Sequence, residues 1–339
     1  TQNSDTHLGR KTVVFVVSDS TKIPEHAFHF DRLRPNAEGA GNAIDVLAGG
    51  PPCKGYSCIG IRRSYSVDRK EIPSNQLYQR MVKVIERLRP RIFLFENVRG
   101  LLNAKWTKEG GEPIWPDVRK AFDEIPGYEV RWSLVYAKDY GVPQNRPRVL
   151  LVGIRKDILE ACDFLTPEAS AEDAVQCGFL PKPTPGEHPD LVDLLGDLED
   201  PEADRIMRGG DFAPGKFETR SYPNSAKTQI QRMLRSAPHW NPEAKGRLTE
   251  QEYSKHKPAV VQKFIHMLEN GGEIPAQFQT KKFSQRVLRK RWGNHEPNIT
   301  ATSLPDDYVH YRQPRTLTVR EWARLQLFPG WSQFSGKRT

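Results

Sequence analysis

The sequence predicts an α/β protein with a largely parallel sheet and a second, smaller domain of few regular elements. Three observations predict it. Up to about residue 155, apolar β-branched runs alternate with segments of helical periodicity. After about residue 160 the texture turns Pro-rich and acidic, and from about 205 to 310 it is basic and irregular. Helical periodicity then returns over 315–331.

Taken in order, "KTVVFVVSD" (11–19) and "AIDVLAGGPP" (43–52) read as buried strands, because β-branched apolar runs bounded by turn residues favour that state. "NQLYQRMVKVIERLRP" (75–90) carries apolar residues at 77, 81, 84, 85 and 88, a helical spacing that Pro90 stops. "RIFLFENV" (91–98) is a third buried strand, "IWPDVRKAFDEI" (114–125) an amphipathic helix, "YEVRWSLVYA" (128–137) an alternating strand and "RVLLVGIR" (148–155) another apolar one. "DLVDLLGDLEDP" reads as one short helix. In "RTLTVREWARLQLFPGW" (315–331), Thr318 is the N-cap and Glu321, three residues on, completes a capping box, with Pro329 beyond. The domains expected are a first α/β unit over 1–160, a linker over 161–195, a second, less regular domain over 196–310 and a return to the first unit over 311–339.

The 339 residues are 37% hydrophobic and 27% charged, a globular composition, and contain no apolar run of about 18 residues that would span a membrane. Four cysteines, at 53, 58, 162 and 177, are too few and too scattered for a disulfide framework or a zinc site. Reduced thiols in the cytosol or nucleus are expected, and no metal. The net charge of +9, with a pI near 9.3, favours a polyanionic partner, most simply nucleic acid.

Ligands of open α/β sheets sit beyond the carboxyl ends of the strands, and Asp19, Cys53 and Glu96 fall at such ends. Two prolines fix the backbone before Cys53, and the following "KGYSCIG" has glycines at which a loop can hinge. A thiolate held this way is a candidate nucleophile. Glu96, after an apolar run, is expected to be half buried, and a carboxyl group so placed is suited to donate a proton. "QNRPR" (144–148) sets Arg146 and Arg148 just before a core strand, where two guanidinium groups suit a carbonyl oxygen, a phosphate or a carboxylate. Singly, each has an ordinary alternative: a core thiol, a salt-bridged glutamate, two surface arginines.

Together and in this order, "GGPPCKGYS", "FLFENVRGLL", "DYGVPQNRPRVLLVGIR" and "RTLTVREWARLQLFPGW" closely resemble the motif series of the DNA (cytosine-5)-methyltransferases, over about residues 10–160 and 295–331. The resemblance implies a Rossmann-like, class I sheet that binds S-adenosylmethionine and a target-recognition domain that reads double-stranded DNA. It implies that Cys53 attacks C6 of an everted cytosine, that Glu96 binds the exocyclic amine and N3, that Arg148 holds O2 and that Arg146 supports the loop of the nucleophile. It further implies cofactor contacts from Asp19, Pro52 and Leu77. DNA contacts are expected from Lys54, Ser57 and Asn97 near the cysteine, and from Arg286, Arg289 and Arg291 in the basic cluster "KKFSQRVLRKRW". Restriction–modification or another host-defence system is the family's commonest setting.

The sequence departs from the family in three places. A Gly-rich F-x-G-x-G loop should precede Asp19 by a strand–loop–helix unit of roughly 30 residues, but only 18 residues come before it. The closing Asn-containing segment is missing after "FSGKRT", and Lys54 stands where the family usually has Gln. A second polypeptide, or further chain, is therefore expected to supply the two missing pieces. Two other readings accompany the leading one: a non-catalytic DNA-binding or split subunit, and a tRNA cytosine-5 methyltransferase, for which the recognition region looks too long.

Overall fold

The computed structural model describes residues 13–14 (backbone only), 44–51, 76–106, 111–162, 172–209, 218–238, 241–279, 285–297, 299 and 307–334. The chain groups into two compact units, one of residues 1–135 and 147–183, the other of 136–146 and 184–339.

The first unit is built on a five-stranded sheet. Its strands are β1 (Val13–Val14), β2 (Val46–Gly49), β3 (Ile92–Val98), β4 (Tyr128–Tyr136) and β5 (Pro147–Arg155), in the spatial order β1-β2-β3-β5-β4. β1 pairs with β2, and β2 with β3, in parallel. β5 runs antiparallel to β3, a departure from the largely parallel expectation. The connection accounts for it. Parallel strands need a crossover of a dozen or more residues, usually a helix. Helix α1 (Leu77–Leu88) lies between β2 and β3, whereas only the short 3-10 turn Ala137–Tyr140 and six further residues separate β4 from β5.

Helix α1 forms where the apolar spacing predicts it. It buries Tyr78, Met81, Ile85 and Leu88 and stops at Arg89, which takes the left-handed conformation just before Pro90. Helix α2 (Ile114–Asp123) buries Ile114, Val118 and Phe122 at a spacing of four, one face of a helix. The Phe122 ring meets Phe93 and Phe95 at centroid distances of 5.7 and 4.9 Å. β3 alternates: Phe93, Phe95 and Asn97 are buried on the face that α1 and α2 cover, while Ile92, Leu94 and Glu96 point to the other. On that second face Val152 and Ile154 of β5 form a smaller core with Ala174, Cys177 and Phe179. Helix α3 (Lys156–Glu160) follows β5 directly.

The second unit holds more regular structure than its sequence suggests. It contains the helices α4 (Leu191–Leu195), α5 (Pro201–Gly209), α6 (Gln229–Arg235), α7 (Pro258–Glu269) and α8 (Val319–Leu325) and the two-stranded pair β6 (Arg286–Val287) and β7 (Tyr308–Val309). The expected single helix over "DLVDLLGDLEDP" ends at Leu195, and α5 begins at its last residue. α7 was hidden in a stretch that reads as irregular, although Pro258 at its first turn is a start signal. α6 carries a capping box, Thr228 with Gln231. α8 carries the expected one, Thr318 with Glu321, and ends at Leu325, short of Pro329.

Charge is buried in this unit. Arg315, Arg320, Glu321 and Arg324 are fully enclosed. Arg315 donates two bonds of 2.7 Å to the two Glu321 oxygens. Arg324 donates to both oxygens of Asp197, at 2.9 and 3.1 Å. Arg320 donates to the carbonyls of Thr249, Pro329 and Ser332. Residues 311–334, expected to return to the first unit, group with the second unit, α8 packing on α4.

Candidate active site

The register of three strands assembles the site. β2 and β3 run parallel, with Gly49 opposite Phe95, so Gly50 and Pro51 continue past the carboxyl end of β2 beside Glu96. β5 enters from the opposite direction. Val98 is paired with Arg148 and Glu96 with Leu150, which makes Glu96 and Arg148 diagonal neighbours on one face. The side chains use that proximity: Arg148 Nε forms an ion pair with Glu96 Oε1. The Arg148 side chain is 17% exposed and that of Glu96 40%, so the carboxylate is half buried, as expected, and open on one side. Arg148 also donates through Nη1 to the carbonyl of Pro147 at 2.8 Å.

Asn97, the next residue of β3, points to the opposite, buried face. Its Nδ2 donates to the carbonyl of Pro51 at 3.3 Å, and its Oδ1 accepts from the Val98 amide at 2.9 Å. Asn97 is 4% exposed, so its amide is committed to holding the loop that leaves β2. That loop leads into Pro52 and Cys53. Gly50 lies against Glu96: a Cβ built on it would stand 2.9 Å from Glu96 Oε2.

The other expected site residues are distributed as follows. Asp19, Pro52, Cys53, Lys54 and Ser57 lie outside the described residues. Leu77 opens α1 and is partly buried. Arg146 belongs to the second unit, where its carbonyl accepts from the Ala137 amide at 3.1 Å. Arg286, Arg289 and Arg291 are exposed, and Arg291 meets Asp190 at 3.2 Å. The structure thus joins Glu96 to Arg148, and ties Asn97 to Pro51, two residues before Cys53 in the sequence. What sequence reading missed is how closely Gly50 lies against Glu96. Two glycines before Pro-Pro signal close approach, but not to which side chain.

Among the described residues no cluster of His, Cys, Asp or Glu suits a metal ion, and no helix is long and apolar enough to cross a membrane.

Comparison with known proteins gives the same direction. The family model for C-5 cytosine-specific DNA methylases matches residues 31–339. The type II methyltransferase M.DdeI of Desulfomicrobium norvegicum is 28% identical over 312 residues, covering 87% of this chain and 65% of that protein. M.XorII of Xanthomonas oryzae pv. oryzae is 28% identical, covering 90% of this chain and 64% of its own length. The chain therefore spans just under two thirds of these relatives. Among solved structures, a prophage-encoded E. coli protein assigned to the DNA modification methyltransferases superposes with a TM-score of 0.54 at 22% identity, over 86% of this chain and 70% of that one. That likeness concerns the fold, which is the Rossmann-like α/β fold of the methyltransferases.

Proposed function

The chain belongs to the C-5 cytosine-specific DNA methylase family, and from that premise we propose that it methylates C5 of cytosine at a specific sequence in duplex DNA, within a restriction–modification or other host-defence system. S-adenosylmethionine, when bound, supplies an electrophilic methyl group. The parallel strands β1, β2 and β3 open their carboxyl ends on one side of the sheet, where α/β folds bind such ligands. Partly buried Leu77 begins the helix that follows the cysteine loop. Asp19, Pro52 and Leu77 are the residues assigned to that cofactor.

The reacting carbon lies within a base stack, so the cytosine is everted before chemistry. The Cys53 thiolate adds to C6, and the displaced electron pair makes C5 nucleophilic toward the methyl group. Glu96 is assigned to pass a proton to N3 and to accept from the exocyclic amine, which offsets the charge gathering in the ring. Arg148 holds O2. O2 is carried by C2, the ring carbon bonded to N3, and the two side chains assigned to N3 and O2 are likewise neighbours. A base then removes the C5 proton, the electron pair expels the thiolate from C6, and the aromatic ring is restored. Asn97 acts by holding the loop. Arg146 supports that loop too. Lys54 and Ser57 are assigned to the DNA near the everted base, with Arg286, Arg289 and Arg291 on phosphates. Residues 196–310 are assigned as the recognition domain.

The observation that carries this reading is the Glu96–Arg148 pair beside the Gly50–Pro51 step into Cys53. The test uses full-length protein, labelled cofactor and genomic DNA lacking cytosine methylation, with tRNA as competitor. Label is expected to enter DNA. A duplex pool containing 5-fluorocytosine is expected to be trapped covalently by the wild type and not by Cys53→Ala. Label entering tRNA alone, or transfer by Cys53→Ala equal to the wild type, refutes the proposal.

A further inference from the structure

We infer that Gly50 is a positioning residue for Glu96: the side chain it lacks is the space the carboxylate occupies. The inference rests on the role proposed above for Glu96.

Gly49 and Gly50 follow each other at the end of β2 and do different jobs. A Cβ on Gly49 would meet the Met81 sulfur at 3.0 Å, which is a core contact. The three heavy atoms nearest a Cβ on Gly50 all belong to Glu96: Oε2 at 2.9 Å, the backbone oxygen at 3.7 Å and Cδ at 3.9 Å. The backbone of Gly50 does not lie in the left-handed region that favours glycine. Alanine would thus be tolerated by the main chain, and the one severe contact is with the end of a flexible side chain. Such an end gives way where a backbone would not.

The carboxylate is held from two sides. Oε1 is paired with Arg148, while Oε2 rests in the gap at Gly50. A methyl group in the gap pushes Oε2 out and turns the carboxylate away from Arg148, leaving β2 and β3 paired as before. The group proposed to meet N3 is then displaced while the fold stands. A displacement of about 1 Å at a reacting group costs about a hundredfold in rate.

The experiment is Gly50→Ala in the full-length protein, alone and combined with Glu96→Gln. The expected outcome is an unchanged unfolding midpoint, unchanged affinity for DNA, and single-turnover methyl transfer lowered about a hundredfold. In the Glu96→Gln background Gly50→Ala is expected to add nothing further, because both changes act on one group. A crystal structure of Gly50→Ala should have Glu96 turned off Arg148. Wild-type transfer by Gly50→Ala overturns the inference, as does a full additional loss in the Glu96→Gln background, or an intact Glu96–Arg148 pair in the variant crystal. Should the wild type itself transfer no methyl group, the proposed function fails, and the crystal structure still decides the placement.

Discussion

Replacing Glu321 by leucine is the sharpest test of what holds the second unit together. Glu321 and Arg315 are both 0% exposed, so neither charge has water to fall back on. Glu321 accepts two bonds from Arg315 at 2.7 Å, one from the Thr318 amide at 2.9 Å and one from Gln251 at 3.3 Å. Without it, the Arg315 guanidinium keeps the Gln313 side chain at 2.9 Å, the Thr316 carbonyl at 3.1 Å and the Tyr253 ring at 4.8 Å, none of them charged. Breaking a buried ion pair from one side costs about 3–5 kcal/mol, since an uncompensated charge stays buried. Removing both partners removes the stranded charge as well. The pair Arg315→Met with Glu321→Leu is therefore predicted to recover most of the loss, short of about 1 kcal/mol for the cap that Glu321 completes. Peptide-resolved amide exchange over 307–334 reads this unit by itself. Protection across α8 is expected to fall on the order of 10²–10³-fold in Glu321→Leu and far less in the double variant. A single variant within about 1 kcal/mol of the wild type, or a double variant as unstable as the single, would refute the reasoning.

Two further predictions concern acid and packing. His310 is fully buried; desolvation, with Arg315 adding to it and Glu321 partly opposing, lowers its pKa to about 3 from 6.5. The folded state thus favours the neutral ring, so its contribution is complete above pH 6.5 and is lost as pH falls toward 3. Exchange in the second unit is predicted to report about 2 kcal/mol less stability at pH 5 than at pH 7 from this group, and His310→Gln should flatten that slope; an unchanged slope refutes it. In the first unit, a Cβ on Gly153 would stand 2.1 Å from the Phe93 ring, so Gly153→Ala is predicted to destabilise the sheet by about 1–3 kcal/mol. Urea unfolding followed by circular dichroism checks this, and a wild-type midpoint sinks it.

The residues themselves settle whatever depends on near neighbours along the chain. The apolar spacing at 77, 81, 84, 85 and 88 is enough for α1, because a helix needs only its own turn and one apolar stripe. Thr318 and Glu321 announce the start of α8, three residues apart, for the same reason. The motif order is enough to single out Glu96 and Arg148 as candidates for one site. It does not reveal their contact, because that follows from β5 pairing antiparallel with β3 in one register, and no local pattern records which strands pair or in what register. Arg320 and Arg324 look like the wet side of an amphipathic helix; they are enclosed, and Arg324 is neutralised by Asp197, 127 residues away. α7 was missed because its stripe of Val261, Phe264 and Met267 sits among other apolar residues, and only the surface that meets it distinguishes them. Local sequence specifies elements through short-range sterics and periodicity. Which face is buried, which charge meets which, and which glycine makes room for a carboxylate are long-range facts, fixed only when distant segments close on one another.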